Sequence, residues 1–168
     1  MQVSKNSTER LSRFTTGEGG VRLGPELILH PHFPTLSTWA IYAGSGTLRT
    51  DTPPVGYTGY VRAQSGDGSY DRLEPASNIT GLTVGAKYCV QALVRRGVET
   101  LSEQGFFAFS FTNGAEAATL NSVADWTWLR VTVTATVATG RPRLYLTRGN
   151  GSTTDYVDCA YFSMKQVL

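Results

Sequence analysis

The sequence predicts an all-β domain, a jelly-roll β-sandwich of two antiparallel sheets behind an extended N-terminal arm. Three observations predict it. Short segments of alternating apolar and polar residues recur about every 10 to 15 residues. Clusters of Gly, Pro, Asp and Asn separate them, as in Asp51-Thr52-Pro53-Pro54, Ser65-Gly66-Asp67-Gly68-Ser69 and Gly149-Asn150-Gly151-Ser152. No segment carries a 3.6-residue period of useful length.

Residues 1–24 are polar and without period, and Thr15-Thr16-Gly17-Glu18-Gly19-Gly20 breaks regular structure. They read as an arm or linker, leaving residues 25–168 as the sandwich. Leu27-Ile28-Leu29 reads as a first strand, ended by Pro31 and Pro34 because proline cannot donate to a sheet ladder. Trp39 to Tyr42, Thr47 to Arg49, Gly59 to Gln64 and Tyr70 to Leu73 read as further short strands. From Lys87 to Val94, the residues Tyr88, Val90, Ala92 and Val94 share one face at period two. Phe107, Phe109 and Phe111 alternate with Ala108 and Ser110. Leu129 to Val137 is the clearest strand: its odd positions are apolar, and Arg130, Thr132, Thr134 and Thr136 fill the even ones. Arg143 to Thr147 and Thr154 to Met164 close the pattern, and no internal repeat is visible.

A chain of 168 residues fits one domain and buries enough surface to need neither disulfide nor metal on size grounds. The net charge of +2 comes from residues 1–25, and the remainder balances. A nucleic-acid binder shows a basic stripe; the only basic doublet is Arg95-Arg96, read as a solvated strand end. No apolar run approaches the ~20 residues that span a bilayer. Met1 to Asn6 lacks the apolar core of a secretory signal. The expectation is either a signal already removed or synthesis in the cytosol followed by release through lysis. Cys89 and Cys159 both fall in predicted strands. Buried thiols are the first reading and a cross-sheet disulfide the second, since spacing alone does not fix the distance.

Four segments in order resemble a known family. Glu26-Leu27-Ile28-Leu29-His30-Pro31-His32-Phe33, with Leu36-Ser37-Thr38-Trp39, resembles the opening of the carbohydrate-binding modules attached to xylanases, glucanases and related glycoside hydrolases. Gly81 to Tyr88 running on to Arg95, Trp128 to Thr134, and Leu144-Tyr145-Leu146 followed by Tyr156-Val157-Asp158 are similar to its later motifs. The resemblance covers residues 26–166 and implies a jelly roll of eight to ten strands. In that family one concave sheet, or the loops at one end, binds a glycan through exposed aromatics. Tailed bacteriophages carry free-standing versions as adhesion or decoration proteins. The chain departs from the pattern at several places: Leu29 and His30 stand near the usual Asn positions, Val84 replaces Pro, Leu93 stands where Trp is common, and Cys159 replaces the second Asp of the closing pair. That acidic pair often helps hold a structural calcium. Only Glu26 and Asp158 are placed to contribute here, and calcium takes six to eight oxygens.

Catalysis finds little support in the residues. A glycosidase needs two carboxylates placed about 5 to 10 Å apart, whereas Asp51, Asp67, Asp71 and Asp155 are scattered through loops. His30 and His32 form an incomplete metal site and read as loop packing. The live question is the aromatics, because sugars stack on flat rings with polar groups beside them. Tyr42, Tyr57, Tyr60, Tyr70 and Trp126 are the candidate glycan-binding residues, with Trp39 and Trp128 expected in the core. The expectation is thus a non-enzymatic protein with no cofactor beyond the candidate calcium. Its first setting is the surface of a phage-like virion, as a capsid decoration or minor tail protein. It would dock on other virion proteins through the arm and form a homo-oligomer. The alternative is a glycan-binding module, either a host-receptor adhesin or part of a secreted hydrolase, whose partner is a cell-surface polysaccharide. Neither nucleic acid nor membrane is expected as a partner.

Overall fold

The computed structural model describes residues 16–17, 21–29, 31–66, 72–96, 105–109, 118–120, 125–145 and 156–168. Every strand pairing among them is antiparallel, and no helix occurs among them. The strands are β1 (Thr16–Gly17), β2 (Val21–Glu26), β3 (Trp39–Tyr42), β4 (Gly44–Arg49), β5 (Tyr60–Ser65), β6 (Arg72–Pro75) and β7 (Ile79–Thr80). They continue as β8 (Lys87–Arg96), β9 (Gly105–Phe109), β10 (Ala118–Leu120), β11 (Thr127–Thr134), β12 (Thr139–Gly140), β13 (Pro142–Tyr145) and β14 (Tyr156–Val167).

The first sheet is organised around β14. One edge of β14 pairs with β8 along almost its whole length, and β8 pairs in turn with β11. The other edge is shared: β5 takes residues 156–159 and β2 takes the end near Lys165 and Val167. β4 lies outside β5, and β1 on β2. The second sheet runs β10-β9-β13-β6-β3, and β7 and β12 form a small separate pair.

The alternation read from the sequence sets the core. Tyr88, Val90, Ala92 and Val94 of β8 are all buried, as are Val61 and Ala63 of β5 and Val157, Cys159, Phe162 and Met164 of β14. Trp39, Leu73 and Leu144 meet them from the second sheet. Trp39 stacks on Phe162, ring centroids 5.5 Å apart, so one tryptophan bridges the two layers.

The chain passes from the second sheet to the first between β3 and β4, at a single residue. Ala43 adopts φ 58° there, a left-handed conformation that L-residues rarely take. Gly44 follows because a Cβ would collide with the Gln64 carbonyl oxygen.

Several expectations shift. The strand in this region is β2, Val21–Glu26, not Leu27–Leu29, and β1 at Thr16–Gly17 pairs with it, so residues 16–17 and 21–24 of the expected arm lie in the sheet. The apolar run 27–29 misled because β2 lies on the first sheet with half-exposed residues, whereas Ile28 plugs the core from the loop behind it. Residues 1–15, Phe111 and Leu146 lie outside the described residues. Cys89 and Cys159 are both buried and unbridged. Cys159 belongs to the core between the sheets and Cys89 alternates to the opposite face of the first sheet.

Candidate functional site

Strand alternation gives the first sheet an outer face, opposite the core. On β8 it carries Cys89, Gln91, Leu93 and Arg95; on β11, Trp128 and Arg130; on β5, Tyr60 and Arg62. A β-bulge in β14 between Cys159 and Tyr161 changes the phase. The extra residue lets both Ala160 and Tyr161 face outward while Phe162 returns to the core.

The outward rings pack on one another. Tyr60, Leu93 and Ala160 form a floor, with Tyr57, Trp126, Trp128 and Tyr161 half-buried against it. Trp126 meets Tyr60 edge-on at 5.3 Å between centroids, and Trp128 meets Tyr161 likewise at 5.7 Å. Tyr57 sits 6.3 Å from Tyr161, and His32 lies between them, 5.7 Å from Tyr57 and 4.8 Å from Tyr161. Edge and tilted contacts of this kind suit aromatic quadrupoles and fix the rings into one continuous patch. Burial in this patch pushes the Tyr57 hydroxyl up to about 12 and raises that of Tyr161. Burial likewise lowers His32 below its ordinary value, against a smaller opposing pull from Glu26.

Polar groups frame the rings. At one end Asp158, fully buried, accepts two hydrogen bonds from Arg62 and two from Arg95. The Arg95 guanidinium also lies 4.8 Å from the Trp126 ring centre and donates to Thr52. At the other end Glu26 binds β2 to β14. Its Oε1 accepts the Met164, Ile28 and Leu27 amides, and its Oε2 accepts the Ser163 hydroxyl and the Tyr161 hydroxyl. On the β11 side Arg130 donates to Gln91.

The structure therefore brings together three of the five aromatics expected at a glycan site, Tyr57, Tyr60 and Trp126. Tyr60 is 1% exposed, so it supports Trp126 and offers no face of its own. Tyr42 is exposed on the outer face of the other sheet, and Tyr70 and His30 lie outside the described residues. Trp128, expected in the core, is on the outer face. The odd positions of β11 turn inward, so Trp128 and Arg130 turn outward together. Tyr161 and His32 were not legible as site residues, because a bulge places the first and a loop the second.

Glu26 and Asp158, expected as a calcium pair, are not brought together. Glu26 pairs with Lys165, seven residues along β14 from Asp158, a separation of roughly 20 Å at strand rise. Both Asp158 oxygens are filled by guanidiniums and both Glu26 oxygens by amide and hydroxyl donors. The donor set does not fit a metal at that pair, and no group of three metal-ligating side chains occurs among the described residues.

No family model matches the sequence, and no curated protein matches it. Solved structures do match. The xylan-binding domain CBM22-1 of Paenibacillus barcinonensis Xyn10C superposes with a TM-score of 0.59 over 86% of this chain and 96% of its own, at 9% identity. This chain has the fold of a carbohydrate-binding module. Modules of families 4, 16 and 61 share the fold too. Two larger proteins contain the same sandwich as a part. An arabinose-bound GH51 α-L-arabinofuranosidase matches with a TM-score of 0.64 at 17% identity, and the chain spans 27% of it. The enzymatically active domain of bacteriophage CBA120 tailspike protein 4 matches with a TM-score of 0.60 at 8% identity, and the chain spans 21% of it.

Proposed function

We propose that this module is a non-catalytic glycan binder whose binding surface is the outer face of the first sheet. One observation carries the reading. The half-exposed rings of Tyr57, Trp126, Trp128 and Tyr161, with His32 over two of them, form one patch on the face turned away from the core. A solvated sheet face is ordinarily polar, and contiguous apolar surface of this kind marks a binding surface. Rings flanked by Arg95 and Arg130 suit a sugar chain, whose C–H faces stack on aromatics while its hydroxyls take hydrogen bonds.

The chemistry of the acids supports a binder over a hydrolase. Hydrolysis uses a free acid and a free base flanking the bond. Among the described residues the buried carboxylates of Glu74 and Asp158 and the half-buried one of Glu26 are each engaged by several donors.

Affinity electrophoresis and calorimetry with neutral plant glycans test the reading, starting with xylan and β-1,4-galactotriose, the sugars named with two of the modules of like fold. Binding to one of them that Trp126→Ala and Trp128→Ala each weaken supports it. Absence of binding to any neutral glycan at millimolar sugar overturns it.

A second reading places the module on a phage-like particle, docked on other virion proteins as an oligomer; the likeness to the tailspike domain favours it. Removing residues 1–15, which leaves β2 intact, should then release the protein from particles. Unchanged attachment would count against that role for the N-terminal stretch.

A further inference from the structure

The outer face of the second sheet carries a separate cluster that the ring patch does not use. β6 lies between β3 and β13, and Arg72 stands directly opposite Tyr42 on one side and Tyr145 on the other. Its guanidinium lies 4.0 Å from the Tyr42 ring centre and 5.9 Å from that of Tyr145. Two residues along, Glu74 is buried and receives three arginines. Arg72 Nε and Arg143 Nε each lie 2.9 Å from its Oε2, and Arg141 Nη1 lies 3.2 Å from its Oε1. Arg141 is further held by the Pro75 and Ala76 carbonyls.

Among the described residues Arg72 and Arg143 share one oxygen of this carboxylate, with side chains only 16% and 26% exposed, which leaves positive charge of that pair partly removed from water. Desolvated like charges raise the free energy of the site unless an anion joins them. The geometry already faces one outward. Arg72 and Arg143 each spend only Nε on Glu74, which leaves their terminal amino groups for a second acceptor. Because both Nε atoms touch one oxygen, the two forks stand side by side, an arrangement that suits a planar or tetrahedral oxyanion. Tyr42, 55% exposed, supplies a ring beside them. A bare anion would use the arginines alone; an anionic sugar uses the ring as well.

We propose that this face is a second binding site for the carboxylate or sulfate group of an acidic polysaccharide, with Arg72 and Arg143 holding the anion and Tyr42 the sugar ring. The site lies on the sheet opposite the aromatic patch, so it stands or falls separately from the neutral-glycan reading.

Calorimetry of the whole protein with polygalacturonate, in low and moderate salt, tests it. Binding is expected to weaken as salt rises, to fall at least tenfold in Arg143→Gln, and to fall several-fold in Tyr42→Ala. Trp128→Ala is expected to leave it unchanged. Thermal melting verifies that Arg143→Gln is folded. Should it not be, Tyr42→Ala, at an exposed position that carries no charge of the cluster, decides alone. The proposal is overturned if polygalacturonate does not bind, if both variants bind like the wild type, or if Trp128→Ala abolishes binding as fully as they do. Inorganic sulfate competing fully at equal charge concentration would assign the site to free anions and overturn the polysaccharide.

Discussion

Arg62 closes on Asp158 across 96 residues of chain with two parallel hydrogen bonds, Nε to Oδ1 at 2.7 Å and Nη2 to Oδ2 at 2.9 Å. Arg95 adds two more, Nη2 to Oδ2 at 2.8 Å and Nε to Oδ2 at 3.2 Å. The three residues lie on adjacent strands β5, β14 and β8 and tie the middle of the first sheet together. Removing the carboxylate of a buried pair strands its partners. Asp158→Asn should therefore lower stability by about 3 kcal/mol, seen as a lower urea midpoint with an unchanged slope. Millimolar calcium should not restore it. An unchanged midpoint in the variant, with a calcium-dependent rise in the wild type, would return Asp158 to the role of a metal ligand.

Glu26 performs the equivalent task at the other end of β14. Glu26→Ala leaves the Met164 and Ile28 amides without their acceptor, and a buried donor without a partner costs about 1–3 kcal/mol. Amide hydrogen exchange should accelerate at Ile28 and Met164 well before it does at Val90 in the sheet centre. Uniform protection throughout would show that β2 holds without the latch.

The two classes of tryptophan should separate cleanly. Trp39 is 5% exposed between the sheets, and Trp39→Ala should cost about 3–5 kcal/mol. Trp126→Ala and Trp128→Ala should leave a folded protein and weaken neutral-glycan binding at least tenfold, about 1.4 kcal/mol. If Trp128→Ala instead unfolds the domain as Trp39→Ala does, the ring patch is core and not a platform.

His32 is the pH-sensitive member of the patch. Burial lowers its folded-state value, so the unfolded chain binds its proton first on acidification. The neutral ring's contribution is complete above the unfolded value of about 6.5 and is lost as pH falls from there through the folded value. An NMR titration of the His32 ring should give a midpoint below 6.5. The acid-side loss of stability in that window should shrink in His32→Gln. A midpoint above 6.5 would mean that Glu26, not burial, governs the ring.

Burial raises both thiols, Cys159 far above the usual range, and the thiolate is the reactive form. Neither should react with a thiol reagent in the native state at neutral pH, and both should react in denaturant. A single thiol titrating in the unfolded protein without reductant would be inconsistent with two free cysteines.

The sequence by itself determined the class of fold and most of the core. Tyr88, Val90, Ala92 and Val94 face inward because a strand's side chains alternate, and period two survives whatever the strand pairs with. Trp39 was legible for the same local reason. The ring patch was decided by tertiary structure. Trp128 sits on the polar side of its own strand and becomes part of a patch only because β8 and β14 place Leu93 and Tyr161 beside it. Tyr161 faces out because a bulge shifts the phase of β14, and no local period records an inserted residue. The two arginine clusters are likewise invisible along the chain, since Asp158 meets Arg62 and Glu74 meets Arg143 through strand order and register. Alternation is a property of neighbours in sequence, whereas charge partners and stacked rings are properties of neighbours in space.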